Sequence, residues 1–323
     1  MILNRRNLLV GTGGALLSSV LPTWAAETQV IGGPAFGSWW RAVLPATTDA
    51  HEIKAAIETV VESVDDAMSP FKKSSAISRL NGARDTNWHP VSGGVSKVIT
   101  EGLRIAQLTN GAFDPTVGPI VGRYGFGPIT GSSVTGYLSI QLGEGKLRKI
   151  TPDASLDLCG IAKGYALDRM ADVLITCGVN SFLLEAGGEV LAIGFHPNGR
   201  QWQAAIETPD TSPRTFQRIV KLDGMALATS GDAVNGGQEG GVSFNHIINP
   251  HTELPVANGV ASVSVIAKTA MEADALATAL MVMGSERGLA LAEQEGIAAM
   301  FLTRGTSGIS EYMSGQFARY VVV

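Results

Sequence analysis

The feature that most restricts the fold is a close succession of strand-like runs, near residues 181–185, 189–194, 201–207 and 216–222. The connections between them are shorter than a parallel crossover requires, so the runs predict a largely antiparallel sheet. Helical periodicity surrounds them. Residues 51–68 carry Ile53, Ala56, Val60, Val64 and Ala67 on one face, and this helix stops before Pro70. A second helix is predicted over about 95–108, closed by Asn110-Gly111, and a third over about 161–177. A strand over 261–267 leads into an Ala-rich helix from 271 to about 283. Residues 28–44 read as strand around a glycine interruption, and 124–145 as surface loop with a short strand near 137–142. Helices alternating with antiparallel runs predict an α+β fold rather than a doubly wound sheet.

The chain has 323 residues, 45% of them hydrophobic and 16% charged, enough to bury a substantial core. Its formal charge of -5 offers no basic patch for nucleic acid, which is excluded as a partner class. Arg5 and Arg6 precede an apolar run from Leu8 to Leu21, and small residues follow at Ala25 and Ala26. This pattern predicts a twin-arginine export signal over residues 1–26, ahead of one domain over 27–323. The expected location is the periplasm, with no stable membrane anchor, because the apolar run is short and glycine-rich. The only cysteines, Cys159 and Cys177, are expected to be free and buried rather than bridged.

Several motifs can carry chemistry. Asp274 and Thr278 lie four apart in a helix, so both face one way and offer hard oxygens suited to magnesium. An acid near the start of an Ala-rich buried helix is the plainer reading. In LDLCGIAKGYALD, 156–168, an acid and a small-residue turn precede a helix with Lys163 in its first turn. Such a start can bind a pyrophosphate or be an ordinary strand-to-helix turn, and the P-loop spacing is absent. FDPTVGPI, 113–120, is a stiff loop able to hold a flat ring, or simply structural. His246 precedes an apolar strand with an Asn-Pro turn, where it can act as a base or pack in the core.

Taken in order, the segments AFGSWW (35–40), MSPFKKSSAISRLN (68–81), GAFDPTVGPI (111–120), LDLCGIAKGYALD (156–168), LEAGGEV (184–190), ATSGD (228–232), HIINPHT (246–252) and ADALATALMVMG (273–284) resemble the ApbE family of flavin transferases. The resemblance spans about residues 30–320. It implies two interleaved α/β halves with FAD in the cleft between them, and Mg2+ on the diphosphate. By that resemblance Asp274 and Thr278 become metal ligands with a backbone carbonyl near Gly160, while Asp157 and Lys163 contact FAD. Ala112, Phe113 and Asp114 lie against the nucleotide, Phe36 and Phe71 form apolar or stacking walls, and Ile248 adds a backbone contact. His246 is the base that lets a Ser or Thr hydroxyl of a target flavoprotein attack the FMN-side phosphorus, releasing AMP.

The same resemblance implies an acceptor domain in a membrane respiratory complex, either a sodium-pumping or related electron-transfer complex or the nitrous-oxide reduction apparatus. The latter is favoured because some of its maturation factors are twin-arginine-exported relatives of the family. A magnesium-dependent FAD pyrophosphatase and a non-catalytic flavin-delivery protein are the alternatives. The chain departs from the family pattern at Phe36, Phe71, Cys159, Glu189, Ala233, Asn249 and Glu253.

Overall fold

The computed structural model describes residues 28–131, 133, 135–209, 215–232, 236–239, 242–306 and 308–322. The expected export signal and Ala233 lie outside them. The framework is an eight-stranded sheet. Its strands are β1 (Thr28–Ala35), β2 (Ser38–Pro45), β3 (Phe182–Ala186), β4 (Glu189–Ile193), β5 (Met225–Gly231), β6 (Val260–Ala267), β7 (Ala298–Gly305) and β8 (Gly308–Met313). Each pairs antiparallel with the next in chain order. The functional segments are therefore insertions into a simple meander. Between β2 and β3 come α1 (His51–Met68), α2 (Ala76–Gly82), α3 (Gly93–Leu108), α4 (Gly118–Arg123) and α5 (Ala162–Thr176). Between β6 and β7 come α6 (Ala270–Met283) and α7 (Ser285–Glu295).

Both faces of the sheet are covered, which is why β6 is buried at every position. Val263 and Val265 join a core with α3, α5 and α6. Ile266, Met300 and Leu302 pack instead with Trp202, Ile206, Val220 and Leu222 of the hairpin Trp202–Glu207/Phe216–Leu222. α6 lies between the sheet and the other helices, and Ala270, Met271, Leu276, Leu280 and Met281 are buried around its circumference. An all-round apolar helix belongs at a core centre, and this one carries Asp274 into it.

The α+β class expected from the sequence is the one observed. The glycine interruption in residues 28–44 is a two-residue hairpin turn at Phe36-Gly37, both left-handed with φ of 49° and 75°. That geometry matches strand twist, but it strains a residue as bulky as Phe. α3 ends at Asn110-Gly111 with φ of 50° and 80°, and the Gly111 N–H donates to the Ala106 carbonyl at 2.7 Å, a Schellman-type closure. The short strand near 137–142 begins as a 3-10 turn and becomes strand only at Ile140–Gly143. One expectation is corrected: Cys159 and Cys177 are free, but both are exposed rather than buried. Among the described residues no helix is long and apolar enough to cross a membrane.

Candidate functional site

The site is built where α5 crosses α6. Gly164 and Asp168 lie one turn apart on α5 and so share a face, which is turned toward α6. A Cβ at Gly164 would fall 2.2 Å from the Ala270 carbonyl oxygen, so only glycine permits this approach. Asp168 accepts the N–H groups of Ala270 (2.7 Å) and Met271 (3.0 Å), capping α6 from a neighbouring helix, while Thr269 accepts from Glu272 at 3.2 Å. Burial raises the Asp168 carboxyl to about pKa 6 against those two hydrogen bonds. The Gly164 N–H donates to Asp274 Oδ2 at 3.2 Å. Arg104 of α3, bound to both Glu101 and Glu272, ties down the outer side of α6.

Around this crossing the structure gathers five polar groups. Asp274 is 4% exposed, and its carboxyl is pushed up to about pKa 7, by burial first, against the nearby Lys163 and reinforced by Glu189. One turn along α6, Thr278 Oγ1 lies 3.2 Å from Ser230 Oγ of β5. Gly160 reaches the same point: a Cβ there would lie 3.3 Å from Thr278 Oγ1 and 3.4 Å from the Phe113 ring. Lys163 forms an ion pair with Glu189 at the start of β4. Burial opposes the ammonium charge, but Glu189 and Asp274 outweigh it and hold the Lys163 pKa above its ordinary value. Thr229 Oγ1 and Ser264 Oγ, 2.8 Å apart, fix β5 against β6 alongside Ser230.

Asp274 offers a carboxylate and Thr278, one turn on, a hydroxyl, with the Gly160 backbone beside Thr278, a set of hard oxygens. No cluster of three or more His, Cys, Asp or Glu suited to a metal occurs among the described residues. This set fits a magnesium ion that keeps positions for phosphate oxygens and water better than a closed protein cage. A buried carboxylate with a raised pKa also favours a nearby cation, which would hold it ionised.

The neighbouring loop is organised by its acids. Asp157 Oδ1 accepts from the Cys159 N–H at 2.9 Å, shaping the turn that leads to Gly160, and the Asp157 N–H donates to the Pro115 carbonyl at 2.7 Å. Asp114, expected to lie against the nucleotide, orders its own loop with its carboxylate. Oδ1 takes the Thr116 N–H and hydroxyl (2.8 and 2.7 Å), and Oδ2 takes the Tyr137 N–H (2.9 Å). Ala112 and Phe113 are buried, and Phe113 packs beneath Gly102 and Gly160. Cys159 is solvent-reachable but closely surrounded, so burial, and after it Asp157, pushes its thiol well above the ordinary range.

The remaining candidates lie on separate segments. Phe36 packs partly on the core beneath its hairpin turn, whereas Phe71 is 66% exposed between α1 and α2. His246 is half-buried, its ring edge-on to Phe126 at 6.2 Å. Ile248 is buried in a short ladder with Pro255. Two departures from the family pattern acquire a reason here. Asn249 Oδ1 accepts the His251 N–H at 2.9 Å, a turn bond that Asp makes equally well. Glu253 stands at φ 57°, where glycine is unstrained, and reaches Arg123 at 3.5 Å.

Sequence reasoning passed over Gly164 and Asp168 as parts of the site, and weighed Ser230 only as a triad nucleophile, set aside because ATSGD is not a GxSxG elbow. The four-residue spacing of Gly164 and Asp168 is the one signal that could have found the first two.

Residues 36–301 match the ApbE family. The chain is 36% identical to a FAD:protein FMN transferase of Vibrio cholerae, over 98% of this chain and 99% of that one. It is 33% identical to the FAD:protein FMN transferase of Escherichia coli, over 93% and 91%. Among solved structures, the flavin transferase ApbE of Vibrio cholerae superposes with a TM-score of 0.83 at 36% identity, covering 91% of this chain and 99% of that one. The apo flavinyl transferase ApbE of Pseudomonas stutzeri gives 0.83 at 32% identity, covering 92% and 98%. With the sequence and the eight-stranded framework agreeing over nearly the full length, the chain belongs to the ApbE family.

Proposed function

We propose that this chain transfers FMN from FAD to a Ser or Thr hydroxyl of a target flavoprotein and releases AMP. The observation that carries the reading is the meeting of Lys163, Gly160, Asp274 and Thr278 at one helix crossing, in a chain aligned almost end to end with FAD:protein FMN transferases. Lys163 offers positive charge to the diphosphate, and Asp157 orders the turn beside it. Asp274, Thr278 and the backbone near Gly160 would hold Mg2+, which supplies charge neutralisation of the diphosphate and of the leaving AMP. Phe36, Phe71, Ala112 and Phe113 form walls for the nucleotide, and Ile248 offers its backbone. His246 takes the proton of the acceptor hydroxyl as that oxygen bonds to the FMN-side phosphorus and the bond to the AMP oxygen breaks.

The twin arginine, Arg5-Arg6, and the apolar run after it support export, so we place the protein in the periplasm. The acceptor we favour there is a flavoprotein domain of a membrane respiratory complex, with nitrous-oxide reduction as the preferred setting. AMP release with and without an acceptor domain tests the reaction. Release that requires the acceptor is expected. Release to water alone would identify a pyrophosphatase, and FAD binding without release a delivery protein.

A further inference from the structure

The Lys163–Glu189 pair leaves one atom unexplained. Glu189 is 3% exposed, and its Oε1 binds Lys163, but its Oε2 is buried with no hydrogen-bond partner among the described residues. Leaving a buried carboxylate oxygen unpaired is costly, and such a group points to a donor that arrives with a ligand. Glycines rather than bulky side chains precede Glu189. Gly187 and Gly188, immediately before Glu189, are both left-handed with φ of 65° and 111°. A Cβ at Gly187 would lie 3.3 Å from Glu189 Oε2, a tight contact, and 3.5 Å from Lys163 Cδ. The Gly187 N–H is already committed to the Trp39 carbonyl at 3.2 Å, so the turn does not supply the missing donor.

We propose that Glu189 is a specificity-determining residue whose Oε2 accepts a sugar hydroxyl of the dinucleotide while Oε1 positions Lys163 on the diphosphate. This rests on FAD being the substrate. The ligand group is a hydroxyl because of its neighbour: beside a diphosphate held by Lys163, a flavin dinucleotide presents sugar hydroxyls, ribityl on one side and ribose on the other. Its ring N–H groups lie beyond those sugars. A carboxylate accepts such a donor strongly and repels any further phosphate, so one residue both fixes the sugar and sets where the phosphates stop.

The test is calorimetric binding of FAD, FMN, AMP and inorganic pyrophosphate, with magnesium, to the wild type and Glu189→Gln. The nearly isosteric amide turns the accepting atom into a donor or swings it away from Lys163. FAD binding is expected to weaken about tenfold or more, the scale of a charge-assisted hydrogen bond. FMN weakened alike assigns the ribityl hydroxyl, and AMP weakened alike assigns the ribose. Pyrophosphate should weaken less than FAD, by the part that acts through Lys163. The proposal is overturned if neither FMN nor AMP binding changes, or if pyrophosphate loses as much as FAD, which would leave only an action through Lys163. Should the variant fail to fold, wild-type binding of FAD analogues lacking ribityl or ribose hydroxyls carries the same test. Affinity undiminished for every analogue then refutes it. Binding is read without turnover, so a chain that binds FAD as described but transfers nothing refutes the proposed reaction and leaves the Glu189 assignment standing.

Discussion

Replacing Gly164 by alanine should damage the site through the backbone alone. The added Cβ would lie 2.2 Å from the Ala270 carbonyl oxygen, 2.5 Å from its carbon and 2.7 Å from Met271 Cα. All three are main-chain atoms, so no side-chain rotation relieves the clash. Non-bonded carbons rest at about 3.5–4 Å, so α6 must retreat by about an ångström. Overpacking of this kind costs about 1–3 kcal/mol. The retreat also breaks the Gly164 N–H bond to Asp274, worth about 1.5–3 kcal/mol when the acceptor is charged. The better helix propensity of alanine returns about 1 kcal/mol. A net loss of about 1.5–5 kcal/mol is expected from urea unfolding, with AMP release falling further as Asp274 and Thr278 move. Gly93→Ala is the control, since a Cβ there meets nothing within 4 Å. If Gly164→Ala matches the wild type in stability and activity, the close crossing does not build the site.

Three other outcomes follow from the same geometry. His246→Ala should slow FMN transfer about a hundredfold or more, the usual weight of a positioned base, while FAD affinity measured by titration stays within twofold. Asp168 has a folded pKa raised from 3.8 to about 6, so the stability this group contributes is full below its unfolded pKa and is lost as pH rises through about 6. Asp168→Asn should therefore gain on the wild type between about pH 4 and 6 in urea midpoints, and a constant difference across that range would contradict the buried cap. Cys159 should be alkylated slowly because its thiol pKa is raised, and FAD with magnesium should protect it further while Cys177 reacts unchanged, as peptide mass mapping would show.

The sequence declares what repeats locally. α1 matches its predicted span because its apolar residues recur at helical spacing, and Asn110-Gly111 ends α3 because few other pairs accept that turn. The Asp274/Thr278 pair was legible for the same reason. The contacts that give the pair its setting were not, because they join residues far apart. Asp168 caps a helix that begins about a hundred residues later, and Lys163 of α5 meets Glu189 at the start of an interior strand. The Phe36-Gly37 turn was hidden because Phe is a poor residue for it, so the segment read as interrupted strand. α7, β7 and β8 were not anticipated, and α7 buries only Gly288 and Ala292.

The central claim is that Lys163, Asp274 and Thr278 hold FAD for attack by an acceptor hydroxyl, with His246 as base. Intact-mass analysis of a periplasmic flavoprotein domain incubated with this chain, FAD and magnesium tests it most directly. The account predicts one FMN-sized adduct on a Ser or Thr, matched by equimolar AMP and abolished in Asp274→Ala and His246→Ala. An acceptor that remains unmodified, or an adduct that persists in Asp274→Ala, would contradict it.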